Sequence, residues 1–252
     1  MRSLRLEDLT WPEVKAAIQN GFDTVVFAVG STEQHGPHLP LASDTLMGEW
    51  LADAAARRLQ HALVGPALRI GCSQHHLAFP GTISIDSSTL QDLIVSYVQT
   101  LLQHGFRRAV AIPSHGGNFQ TVAEAVQRLR KQMPDKQIVT FCDLNRLIEV
   151  SHELSKEFGI SPGASGAHAG ELETSILLFL RPDLVDMSRA EEGFTGEIAP
   201  IIPDLLKYGL VKVTANGILG DGRLGDGRRG EKYLLAWLDL ILAEIEQPSM
   251  SA

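Results

Sequence analysis

The chain has 252 residues, 44% hydrophobic and 21% charged, which is the composition of a folded globular protein and excludes bulk disorder. Its 22 Lys plus Arg against 30 Asp plus Glu leave a formal charge of −8, which argues against a nucleic-acid partner. Two cysteines, Cys72 and Cys142, rule out a disulfide scaffold and suit a reducing cytoplasm; charges break up the N-terminal apolar stretches, and no apolar run approaches the roughly 20 residues a bilayer requires.

Taken in chain order, residues 24–29 (TVVFAV) are β-branched or aromatic and end at Gly30, the pattern of a buried strand. Asp44 then stands where a helix N-cap belongs, and helical spacing runs to about residue 59. Residues 63–70 read as a weaker strand. Residues 88–103 form a helix with apolar positions at Leu90, Leu93, Ile94, Tyr97 and Leu101, stopped by Gly105. A short strand at 109–112, a helix at 119–133 closed by Pro134, a strand at 138–141 and a helix at 144–158 follow. Further helices cover about 168–180 and 231–246. Strands alternating with helices of this length predict an α/β fold, a single three-layer domain over residues 1–252 with a mostly parallel sheet. Ligands of such sheets bind beyond the carboxyl ends of the strands, here the loops after Val29 and Ile112.

Those loops hold the polar residues hardest to assign to packing: GSTEQHGPHLPLASD (30–44) and PSHGGN (113–118). A third segment, GASGAHAGELETS (163–175), opens a helix. Glu33 and His35 lie two apart, so an extended backbone aims both at one point. Asp44 returns at the next helix, and His115 leaves another strand before two glycines. Imidazole with carboxylate suits zinc, manganese or iron, and no cysteine joins in as a structural zinc site would require. Of Glu171 and Glu173, one is expected to be a solvated helix residue. His61, His104 and His152 read as surface or helix residues, His75 and His76 as pocket wall or surface, and the cysteines as small buried hydrophobes. Two motifs fail on context. GDGRLGDGRRG (220–230) fits G-x-G-x-x-G twice but precedes only the last helix, so it reads as a flexible surface or subunit-contact loop. GASGA (163–167) fits a degenerate nucleophile elbow, but Pro162 breaks the strand that an elbow needs.

Taken together, GSTEQHGPHLPL through Asp44, FPGTIS (79–84), HGGN (115–118) and HAGELETS (168–175) resemble the creatininase (creatinine amidohydrolase) family. The resemblance implies an α/β domain, a dinuclear metal centre, hydrolysis of a small or cyclic amide, and a homohexamer. It makes Glu33, His35, Asp44 and His115 metal ligands, with Asp44 bridging. Creatininase has a further glutamate ligand where this chain has Gly117, and Glu173 is the expected replacement, with Glu171 as fallback. His168 matches the family's catalytic histidine, and Glu173 joins it as a catalytic candidate. Ser73, Gly116, Gly117 and Asn118 are the candidate substrate contacts. Two divalent ions, zinc first with manganese or iron as alternatives, would lower the pKa of a water from 15.7 toward about 7, and the resulting hydroxide would attack the amide. Amide N–H groups at 116–118 would stabilise the oxyanion, and His168, titrating near working pH, would protonate the leaving nitrogen. Gly116 and the stretch Ala164-Ser165 replace two aromatic walls of creatininase, which turns the reading away from creatinine toward another cyclic amide or a formamide. The alternatives are a peptidase that trims a precursor peptide for a redox cofactor and a non-catalytic metal-binding assembly protein.

Overall fold

The computed structural model describes residues 2–246. Four strands form one parallel sheet: β1 (Thr24–Val29), β2 (Ala62–Val64), β3 (Arg108–Pro113) and β4 (Gln137–Thr140), in the order β2-β1-β3-β4. The helices are α1 (Trp11–Gln19), α2 (Ser43–Arg58), α3 (Ser87–Gln103), α4 (Phe119–Gln132), α5 (Leu144–Glu157), α6 (Pro162–Ser165), α7 (Glu171–Leu180), α8 (Ile202–Tyr208) and α9 (Gly227–Glu246). The expected α/β fold with a parallel sheet between helical layers is what the chain adopts.

The side-chain period of two builds the layers. Val25, Phe27 and Val29 of β1 pack with α1, α3 and α4 on one face of the sheet. Val26 and Ala28 face the other way, onto α2, α7 and α9, with α5 at the margin. Both faces of β1 are therefore buried, which is why it reads as an unbroken apolar run. From β1 the chain moves to β2 on one side, then crosses to β3 on the other. The carboxyl ends of β1 and β3 thus flank the point where strand order reverses, the crevice at which open α/β sheets bind ligands.

Several boundaries differ from expectation. The second strand stops at Val64, because Gly65 and Pro66 follow and proline has no N–H for a ladder. The helix expected from residue 168 begins at Glu171, because Ala169 has φ 51° and breaks the helical path. Helix α1 is not among the expected elements, although Pro12 and a Glu13 carboxylate that accepts from the Thr10 N–H at 2.7 Å mark its start. Nor is the short helix α8. The glycine segment 220–230 is only in part the surface loop expected: Arg223 and Leu224 are exposed, but Gly220 to Gly222 are buried and α9 starts at Gly227. No strand precedes Ser165, which ends α6 and is itself buried. Among the described residues no helix is long and apolar enough to cross a membrane.

Helices α7 and α9 cross closely. Glu171, expected as either a metal ligand or a solvated residue, is neither. It is fully buried at this crossing, where its oxygens take hydrogen bonds from Ser175 Oγ (2.8 Å), Arg229 Nε (2.8 Å) and Tyr233 Oη (2.9 Å). Beside it, Gly230 lies so near the Ser175 carbonyl that a β-carbon would collide with backbone. Gly230→Ala should therefore lower stability by about 1–3 kcal/mol through overpacking, read as a lower denaturant midpoint at unchanged slope. An unchanged midpoint would mean that the helices can part at no cost.

Candidate metal centre

Two strand ends and two helix starts meet at the crevice. The loop leaving β1 carries Glu33 and His35, the first turn of α2 carries Asp44, the turn after β3 carries His115, and the first turn of α7 carries Glu173. His115 Nδ1 lies 3.3 Å from Glu33 Oε1 and 3.2 Å from Asp44 Oδ2. His35 Nε2 lies 3.4 Å from Asp44 Oδ1 and 3.7 Å from Glu173 Oε2. The two oxygens of Asp44 thus face two different groups of donors. His168 Nδ1 stands 3.8 Å from Glu33 Oε1. The structure therefore brings together the residues expected to hold metal, and places Glu173 rather than Glu171 beside them.

Whether a cation fits can be judged from the atoms themselves. Glu33 Oε1, His35 Nε2 and Asp44 Oδ2 are buried and make no hydrogen bond. Buried polar atoms without partners are costly, and three within one cluster imply a missing charge. Their mutual spacing suits it: zinc–nitrogen bonds of about 2.0–2.1 Å in a tetrahedron put ligand atoms about 3.4 Å apart. The electrostatics agree. Burial disfavours charge on the His35 ring, but facing Asp44 and then Glu173 outweigh it and raise its pKa to about 10. His115 is likewise pushed up against burial by Glu33 and Asp44. Burial pushes Glu33 up, and His115, His76 and His35 more than reverse this. Burial raises Glu173 to about 7 in spite of His35. A cage of carboxylates that draws protons onto its histidines offers the same places to a divalent cation.

The backbone sets which nitrogen each histidine presents. His35 Nδ1 faces the Glu33 carbonyl at 3.1 Å, so Nε2 is the atom free for the cage. His115 Nε2 faces the Cys72 carbonyl at 3.1 Å, leaving Nδ1. Any side chain at Gly117 would strike that same carbonyl and the His115 ring, so glycine there makes room for the contact. His168 Nε2 faces the Gln34 carbonyl at 2.7 Å, leaving Nδ1. Hydrogen bonds of this kind orient a metal-binding imidazole and select its tautomer.

Two expectations change. His168 does not titrate near working pH. Burial, then the neighbouring His35 and His76, hold its pKa well below the ordinary value, so the ring is neutral. Of the expected substrate contacts, Gly116 and Gly117 line the adjoining cavity, but Asn118 and Ser73 stand behind it. Asn118 is a staple: Oδ1 accepts from Cys72 N–H (2.9 Å), Nδ2 donates to the carbonyls of Val29 (3.1 Å) and Gly30 (2.9 Å), and its own N–H is bonded to the His115 carbonyl. Ser73 Oγ bonds Ser31 Oγ at 2.7 Å, and Ser31 in turn holds Glu33 Oε2 at 3.1 Å.

Three residues of the site escaped the sequence reading as more than wall or loop. His76 is buried with Nε2 3.4 Å from Glu33 Oε1. Gln34 bridges several parts of the chain, and Ser31 orients Glu33. The doublet His75-His76, just before FPGTIS, was the available signal. Cys72 is buried and Cys142 half-buried, and burial pushes both thiols up, which fits their reading as inert residues. A cation that joins the orphaned atoms binds only the folded chain, so zinc or manganese added to chelator-treated protein should raise its unfolding temperature. At 100 times the dissociation constant the gain is about 2.7 kcal/mol. No shift with either ion would remove the metal centre.

Comparison with known proteins agrees with this geometry. The family model for creatininase, creatinine amidohydrolase, matches residues 7–245. The mycofactocin precursor peptide peptidase of Mycolicibacterium smegmatis is 35% identical over 213 residues, spanning 82% of this chain and 78% of that protein. The creatinine amidohydrolase of Pseudomonas putida is 28% identical over 245 residues, 92% of each. A solved manganese form of creatininase superposes with a TM-score of 0.78 at 26% identity, covering 98% of this chain and 100% of that one. With a family model spanning nearly the whole chain, the parallel sheet and the candidate ligand side chains gathered at its carboxyl edge, this protein belongs to the creatininase family of hydrolases.

Proposed function

We propose that this chain is a metal-dependent hydrolase of an amide C–N bond, folded as one domain. The observation that carries the reading is the set of buried, unpartnered ligand atoms at the inner end of a cavity of about 330 Å³. Glu33, His115 and one Asp44 oxygen would hold one divalent ion; His35, Glu173 and the other Asp44 oxygen would hold the second. Zinc or manganese suits this mix of imidazole and carboxylate, and iron fits the same donors. When bound, paired ions supply an acidified water and polarise the amide carbonyl.

The chain's own residues do the rest. His168 is neutral and its Nε2–H is anchored on the Gln34 carbonyl, so Nδ1 is the working atom. It accepts the proton of the attacking water and returns it to the leaving nitrogen, acting first as base and then as acid. Gly116 and Gly117 leave backbone open along the cavity wall beside the ligands.

Two substrate classes compete. One is a small cyclic amide or a formamide. The other is a precursor peptide, as for the 35%-identical relative described as a mycofactocin precursor peptide peptidase. The cavity favours the peptide. Its lining beyond the ligand cluster includes Phe141, Leu144, Leu147, Leu172, Trp237 and Ile241, an apolar surface with room for large side chains and few partners for a small polar amide. A homo-oligomer, a hexamer by the family resemblance, accords with exposed apolar residues such as Trp11 and Leu206. A cytoplasmic setting accords with two free cysteines.

Protein purified without chelator should carry about two transition-metal ions per chain by plasma mass spectrometry. Glu173→Gln should lose metal while Glu171→Gln keeps it, and equal metal in Glu173→Gln and wild type would remove Glu173 as a ligand. His168→Ala should keep its metal and lower kcat by about 10²–10⁴-fold, the usual effect of deleting an acid–base group. The substrate panel sets peptides with apolar C-terminal residues against creatinine and formamides. Turnover of the small amides alone would reverse the preference for a peptide, and no metal-dependent turnover at all would leave a metal-binding protein without catalysis.

A further inference from the structure

Hydrogen bonds of one buried residue, Gln34, bear on the protonation of two histidines: its side-chain amide on His76 and its backbone carbonyl on His168. Gln34 lies between the ligands Glu33 and His35, and its side-chain orientation is fixed by backbone. Oε1 accepts from the Gly36 N–H at 2.9 Å, and Nε2 donates to the Gly217 carbonyl at 3.1 Å. The second Nε2 hydrogen has two candidate acceptors, His76 Nδ1 at 2.9 Å and His168 Nε2 at 3.0 Å. His168 Nε2 already carries a proton, directed at the Gln34 carbonyl at 2.7 Å, and cannot accept another. The hydrogen therefore goes to His76 Nδ1.

A neutral imidazole that accepts at Nδ1 carries its proton at Nε2. The Gln34 contact at 2.9 Å therefore places the His76 proton on Nε2. The His76 Nε2–H consequently points toward the ligand cluster. The 3.4 Å approach to Glu33 Oε1 is not aligned as a hydrogen bond, since Oε1 has no partner. His76 lines the same cavity as Glu33, Asp44, His115 and His168. The Asn118 N–H, expected to help an oxyanion, is already bonded to the His115 carbonyl. An unengaged donor thus faces the cluster where one of the expected donors is taken.

We propose that His76, held in its Nε2–H form by the Gln34 amide, donates that hydrogen to the carbonyl oxygen of the scissile amide as negative charge gathers on it. The role rests on the amide-hydrolase reading above and assigns that site an oxyanion donor. Gln34 is then a positioning residue: one side chain sets His76 as a donor, and its carbonyl sets His168 as an acceptor.

The test uses two readouts on zinc-loaded full-length protein. The first is the two-bond ¹H–¹⁵N spectrum of ¹⁵N-histidine-labelled protein at neutral pH, with the His76 signals identified by their loss in His76→Phe. Wild type should show the Nε2–H form. Gln34→Glu, whose carboxylate only accepts, should move the proton to Nδ1. The second is calorimetric binding of a phosphinic pseudodipeptide with apolar side chains, whose anionic oxygens mimic the oxyanion. His76→Phe should weaken it by about 10²-fold, the usual effect of deleting one oxyanion donor, and Gln34→Glu should weaken it too. His76→Gln, which keeps an N–H near the same point, should retain more affinity than His76→Phe. An Nδ1–H form in wild type would overturn the proposal, as would a loss smaller than about threefold in His76→Phe at unchanged zinc content. Wild type that binds neither zinc nor the phosphinate would instead overturn the amide-hydrolase reading.

Discussion

Three carboxylates, Glu33, Asp44 and Glu173, are buried around His35 and His115 at the carboxyl edge of a parallel sheet, and that concentration of negative charge is stable only with positive charge among it. The histidines supply some of it, since the facing carboxylates push the pKa values of His35 and His115 up against burial. The orphaned atoms of Glu33, His35 and Asp44 mark what the protein groups leave unsatisfied. A divalent cation answers that demand with more charge than a proton, and at the same ligand spacing.

The surrounding fold keeps this cage from relaxing. β1 and β3 are adjacent and parallel, so the loops that leave them deliver Glu33, His35 and His115 from the same side. Asn118 ties the two strand ends together by bonding the carbonyls of Val29 and Gly30. Glu171 anchors α7 to α9 through Arg229 and Tyr233, which places Glu173, two residues on, across from His35. The pair Glu171 and Glu173 thus divides the work of one helix start: the first is tied to α9 and the second faces the cage.

Much of this was legible in the sequence. The alternation of apolar strands and amphipathic helices stated the fold, because burial on both faces of a sheet leaves continuous apolar runs and burial on one face of a helix leaves a stripe. Glu33, His35 and His115 stood out because they sit in the loops that leave β1 and β3, and Asp44 because it opens the helix that follows the first of those loops. What stayed hidden depended on contacts between distant segments. Nothing near His76 says that its Nδ1 meets Gln34, or that Gln34 is aligned by Gly217, 183 positions away. The buried state of Glu171 was hidden for the same reason, since Arg229 lies 58 positions on. The left-handed Ala169, which delays α7, carries no mark in residue type.

The sequence by itself determined the secondary-structure order, the parallel α/β class, the family and the kinds of donor atom available, because these follow from local periodicity, turn residues and short motifs. The tertiary structure alone decided which glutamate of the helix faces the cage, which nitrogen each histidine presents, that His168 is neutral and that the cavity beyond the ligands is apolar. Those properties belong to distances between segments and to the loss of water around them, and neither is written in the order of residues along the chain.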